Sequence, residues 1–142
     1  MRLVIPPPSS PIVSKVMRSN RPRDTEPEII LRHALRTIGL KGYRLSYKKV
    51  PGRPDISYPG KRIAIFVHGC FWHRCPKCNL PLPKSNKPYW KEKFRRNKER
   101  DKRKRKELES SGWKVYEFWE CDIRKNEYKL AKTISDYVER LR

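Results

Sequence analysis

Arg62-Ile63-Ala64-Ile65-Phe66-Val67, followed at once by His68-Gly69-Cys70-Phe71-Trp72-His73, decides how this chain folds. Five consecutive apolar residues, three of them β-branched, read as a strand covered on both faces. A strand of that kind needs helices above and below it, and the flanking sequence supplies them. Upstream, Thr25 and Glu28 have the spacing of a capping box, with Pro27 tolerated in the first turn. Leu31, Ala34, Leu35 and Ile38 then recur at helical spacing until Gly39 and Gly42 stop the helix. Short strands are predicted over Tyr43–Tyr47, Arg53–Tyr58 and Arg62–Val67, separated by the turns Pro51-Gly52 and Pro59-Gly60.

Downstream, residues 68–87 form a loop rich in Cys, Pro and Lys, long enough to imply a function or a metal clamp. A long helix is expected over Pro88–Ser110, ended by Gly112. A fourth strand is expected over Trp113–Trp119, and a last helix over Asn126–Leu141 with Leu130, Ile134, Tyr137, Val138 and Leu141 facing inward. Helix, three strands, helix, strand, helix is an α/β order, a layered sandwich around a mixed central sheet. The 142 residues suit one domain, placed at 24–142. Residues 1–23, with four prolines before Arg18 and then Arg18, Arg21 and Arg23, read as a flexible basic arm.

The formal net charge of +21 would repel itself in a compact chain unless a polyanion neutralised it, and nucleic acid is the natural partner. Eleven of the sixteen residues Lys91–Lys106 are Lys or Arg. Trp90, Phe94, Asn97, Asp101 and Leu108 leave one less basic stripe on that helix for packing, and Asp101 there is expected to meet an arginine or approach the active site. No apolar run is long enough to span a bilayer, and Leu3-Val4-Ile5 is too short for a secretory core. The expectation is a cytoplasmic, nucleoid-associated monomer with no membrane partner.

Four cysteines in a reducing compartment point to metal rather than disulfides. Cys75 and Cys78 are spaced to reach one tetrahedral ion, Cys70 lies just upstream, and Cys121 follows the fourth strand. Together they are expected to make a closed structural zinc site, the alternative being unrelated reduced thiols. Asp55 on the second strand supplies a hard oxygen for magnesium, and His68 or His73 can take a proton from water. A metal, a water and a base are the parts phosphodiester hydrolysis requires. Each residue also has a second reading: Asp55 as a turn cap, His73 as a zinc ligand, Glu28 as a capping-box partner. Phe71, Trp72 and Trp90 are either wedges for a base stack or packing for the zinc loop.

These residues together resemble the very short patch repair (Vsr) endonucleases. The matching stretches are Asp24-Thr-Glu-Pro-Glu28, Pro51-Gly-Arg-Pro-Asp55 and Ile65-Phe-Val-His-Gly-Cys-Phe-Trp-His73, with support from Asn97-x-x-Arg-Asp101, Gly112-Trp-x-Val and Phe118-Trp-Glu120. The resemblance implies a restriction-endonuclease-like fold and magnesium-dependent nicking of duplex DNA. The cut falls 5′ of the thymine in a T:G mismatch left by deamination of 5-methylcytosine. It further implies that Asp55 is the central metal ligand, with the Val67 backbone carbonyl beside it. His68 and His73 flank the scissile phosphate, His73 activates water, and Glu28 supports the site. Phe71, Trp72 and Trp90 intercalate beside the mismatch. The chain departs from the family pattern at Val67, where some members have threonine, and in its four-cysteine site, where some use a histidine. His68 stands where the wider superfamily would place a lysine. The rival readings are a Vsr-like nuclease of a homing or restriction system and a non-catalytic zinc DNA-binding module.

Overall fold

The computed structural model describes residues 24–142, so the basic arm lies outside the described residues. Helix α1 spans Glu26–Thr37 and buries Leu31, Ala34 and Leu35. The expected capping box does not form. Thr25 is the N-cap, but its side chain makes no capping bond. Glu28 reaches one residue further back and accepts the amide of Asp24 at 2.9 Å.

Four strands follow as β1 (Arg44–Leu45), β2 (Ile56–Tyr58), β3 (Ile63–His68) and β4 (Lys114–Trp119). The sheet order is β1-β2-β3-β4; the first three are antiparallel and β4 runs parallel to β3, with Ala64 opposite Val115 and His68 opposite Trp119. The first strands are shorter than the sequence implied. Ser46 (φ 46°), Gly52 (φ 82°), Arg53 (φ 48°) and Arg62 (φ 53°) all take left-handed backbone, which breaks an extended ladder. A 3₁₀ turn over Pro59–Lys61 delays β3 to Ile63.

Helix α2 (Lys87–Ser110) makes the crossover from β3 to β4. Helix α3 (Glu120–Arg140) begins directly at the end of β4 rather than at Asn126. Asn126 is a kink (φ −162°, ψ 84°) whose side chain accepts the Lys129 amide at 3.2 Å, so it caps the second segment of one bent helix.

The pleat of β3 sorts the core into layers. Ile63 and Ile65, with Val67, pack against Leu31, Leu35, Ile123, Ile134 and Val138 of α1 and α3. Ala64 and Phe66 meet Leu108 of α2 and Val115 on the other face. The result is the expected mixed α/β sandwich. Leu141, assigned inward, follows the end of α3 and is 51% exposed; Ile38, the last residue of the helical spacing, follows the end of α1 and is 37% exposed. No helix among the described residues is long and apolar enough to cross a membrane.

Candidate active site and metal centre

Asp55, Glu28, His68, His73 and the backbone at Val67 line one cleft of about 560 Å³, together with Trp72, Asp101, Lys104 and the turn Gly52-Arg53. Three elements build it. Pro51–Arg53 turns the chain so that Asp55 reaches across to β3, where its Oδ2 accepts the Val67 amide at 2.8 Å. The last residue of β3 delivers His68. A tight turn, closed by the His73 amide on the Gly69 carbonyl at 3.0 Å, returns His73 to the same place.

The imidazoles of His68 and His73 stack face to face, with centroids 4.2 Å apart and planes within 4°. His73 Nδ1 lies 2.5 Å from Asp101 Oδ2 on α2. His68 is buried, its Nδ1 3.6 Å from Glu117 Oε2 and its ring edge-on to Trp119. Burial, then the neighbouring His73, lowers His68 to about 4, so it is neutral at neutral pH. Burial pushes the Asp55 carboxyl up to about 7; the Val67 amide pulls back, and nearby Glu28 adds to the rise. Burial also works against an ionised Asp101, yet the hydrogen bond to His73 and the charges of His73, His68 and Lys104 hold it below the usual carboxylate range. Glu28 is 4% exposed and also contacts the Arg32 guanidinium at 3.3 Å. Its carboxylate thus ties down the start of α1 and lines the cleft at once.

A buried carboxylate with a second one beside it is costly unless a cation joins them. Asp55 has spent one oxygen on Val67 and keeps the other, a donor set that fits a hard cation such as magnesium. His68, His73 and Asp101 also lie close enough to hold a metal ion, but the His73–Asp101 hydrogen bond uses two of those ligand atoms.

The four cysteines gather in a second cluster, with sulfurs all within 4.8 Å of one another and none in a disulfide. Cys75 Sγ and Cys121 Sγ are 3.8 Å apart. Four thiolates about 2.3 Å from a tetrahedral ion would be separated by about 3.8 Å, so the cluster fits such an ion. Cys121 arrives on the first turn of α3, and Glu120 beside it accepts the Cys70 amide at 3.2 Å. His73 stands with His68 and Asp101, not with the thiols.

Between the two centres lies an aromatic cluster of Phe71, Trp72, Tyr89, Trp90 and Phe94, with Leu82. Phe71 and Trp72 are partly exposed, whereas Trp90 is only 2% exposed and packs on Phe94 at 5.7 Å. In this conformation Trp90 is the floor of the cluster rather than an open wedge. Asn97, buried on α2, donates to the Trp72 carbonyl at 3.0 Å and so holds the loop that carries both aromatics. The sequence placed Asn97 on the packing stripe of α2, where it is buried, but gave it no hydrogen-bond partner and assigned no role to Lys104. The one available signal is that Asn97, Asp101 and Lys104 share a face of α2, three and four residues apart.

The sequence profile of the DNA mismatch endonuclease Vsr matches residues 11–80. The type II nicking enzyme V.XorIIP of Xanthomonas oryzae is 42% identical over 109 residues, 76% of this chain and 79% of that protein. The type II nicking enzyme V.NmeAIP of Neisseria meningitidis is 38% identical over 88% of this chain and 93% of its own length. The DNA mismatch endonuclease Vsr of Escherichia coli is 36% identical over 89% of this chain and 80% of its own.

Proposed function

The chain belongs to the Vsr family of DNA endonucleases, and on that premise we propose that it nicks duplex DNA 5′ of the thymine in a T:G mismatch, in very short patch repair of deaminated 5-methylcytosine. The observation that carries this reading is the convergence of Asp55, Glu28, His68 and the Asp101-bound His73 on one cleft. The layered mixed sheet supports a restriction-endonuclease-like fold.

Asp55 and the Val67 carbonyl would hold magnesium, with Glu28 supporting the site; when bound, the ion would supply a Lewis acid for the scissile phosphate. Asp101 fixes the His73 tautomer with the proton on Nδ1, which leaves Nε2 to take the proton of the attacking water. His68, neutral and stacked on His73, contacts the phosphate as a hydrogen-bond donor. Phe71 and Trp72 wedge into the base stack, where a mismatched pair yields at lower cost than a matched one. Cys70, Cys75, Cys78 and Cys121 would hold zinc, which would tie the loop to α3 without taking part in the chemistry. The basic face of α2 binds the DNA backbone, and one monomer acts inside the cell on nucleoid DNA.

Asp55→Ala and His73→Ala separate chemistry from binding: both abolish nicking and leave affinity for mismatched DNA within about a factor of ten, one power of ten being 1.4 kcal/mol. A His73→Ala chain that nicks at the original rate removes His73 from the mechanism. The names of the Xanthomonas and Neisseria relatives favour one second reading, a nicking enzyme that serves a restriction system.

A further inference from the structure

Lys104 sits one turn of α2 beyond Asp101 and lines the same cleft. The other two cations on that wall are differently placed. Arg124 is paired with Glu26 and Glu120, and Arg53 is exposed. Lys104 is half-buried and, among the described residues, has no hydrogen bond or ion pair. Its charge nonetheless reaches Asp55, His68 and Asp101.

The backbone is shaped to let it in. Gly52, at φ +82°, faces the lysine stem: a Cβ there would lie 3.0 Å from Lys104 Cβ, 3.1 Å from its Cγ and 3.3 Å from the Phe66 ring. Only a glycine allows α2 to press this stem against the turn that carries Asp55. The ammonium stands 6.0 Å from the centre of the Phe66 ring, on the strand that ends in His68. The apolar stem therefore lies on Gly52 and Phe66 while the charged head faces the cleft.

From this geometry we infer that Lys104 is a catalytic residue whose ammonium binds a non-bridging oxygen of the scissile phosphate. The inference rests on the nicking reading above. A phosphodiester carries one negative charge, and attack by water raises the charge on its equatorial oxygens. Asp55, Glu28 and Asp101 make the cleft acidic, so a phosphate entering it needs a cation on the wall. A fixed ammonium there gains most in the transition state, so its loss reduces rate more than affinity.

The test uses full-length, zinc-loaded protein and a T:G duplex with a single phosphorothioate, Rp or Sp, at the nicked bond. Lys104→Gln, and Lys104→Met as a variant that keeps the apolar stem, are expected to lower the single-turnover rate about a hundredfold with little change in Kd. Lys104→Arg is expected to restore at least part of the loss. Sulfur accepts a hydrogen bond from an ammonium poorly. One diastereomer therefore slows the parent chain in a way manganese does not relieve, and that slowing shrinks in Lys104→Gln and Lys104→Met. Unchanged rates, or identical sulfur effects in parent and variants, overturn the inference. If the parent nicks and the variants match it, only the role of Lys104 falls. If the parent nicks no mismatched duplex, the nicking reading falls with it.

Discussion

Nδ1 of His73 and Oδ2 of Asp101 lie 2.5 Å apart, although 28 residues of chain separate them. One partner sits in the loop after β3 and the other in the middle of α2, so the pair forms only when the loop folds back on the helix. The contact fixes the imidazole tautomer, and in the proposed mechanism it would stabilise the imidazolium that proton abstraction creates. Asp101→Asn keeps the shape and loses the charge. Nicking should fall at least about a hundredfold with DNA affinity unchanged, since a comparable substitution beside a catalytic histidine costs about 10⁴. Single-turnover rates alongside equilibrium binding check this; an unimpaired Asp101→Asn chain would reduce the pair to a structural contact.

Asp55 sets a pH dependence that can be measured without DNA. Burial raises its folded-state pKa to about 7, well above the unfolded value of 3.8. The folded chain therefore binds this proton more tightly. The stabilisation is complete below about pH 4 and is lost as pH rises to about 7. Asp55→Asn should leave magnesium-free stability unchanged near pH 4 and raise it at pH 8, by roughly 2 to 4 kcal/mol. Denaturant melts at the two pH values check the sign; a variant less stable than the parent at pH 8 contradicts it.

The thiol cluster makes a separate prediction. Cys121→Ser should lower zinc content and the melting temperature, because apparent zinc binding free energies reach about 10 to 16 kcal/mol in small metal-dependent folds. The loss should reach the active site, since the same loop carries His73. A stoichiometric zinc content in Cys121→Ser with no shift in melting would exclude Cys121 as a ligand.

The aromatic cluster divides by burial. Phe71→Ala and Trp72→Ala should erode discrimination between T:G and matched duplexes more than they erode stability. Trp90→Ala should behave as a core truncation, costing about 3 to 5 kcal/mol. Thermal melts and matched-to-mismatched rate ratios separate the two behaviours; a fully stable Trp90→Ala chain would place Trp90 with the wedges.

Much of this was legible in local sequence. The Ile63–Val67 run gave a strand buried on both faces, and its alternate residues do pack on opposite helices. All four cysteines converge as their spacing implied. Local pattern misplaced what backbone conformation decides. Left-handed residues at Ser46, Arg53 and Arg62 shorten the strands, and Asn126 proved an internal kink rather than a helix start. Tertiary pairing was the least visible. Asp101 was conspicuous on its stripe, but its partner depends on how the loop after β3 closes. Lys104 reads in sequence as one more lysine in a basic run, because its place against Gly52 and Phe66 depends on how α2 packs on the turn before β2.

Mismatch-specific nicking can be tested with three duplexes identical except for one central pair. With T:G, T:A or C:G at that position, single-turnover nicking is followed with magnesium present and with magnesium withheld. The expected result is a magnesium-dependent nick 5′ of the mismatched thymine, with both matched duplexes left intact on the same timescale. Equal cutting of all three duplexes, or cutting that ignores magnesium, would contradict it.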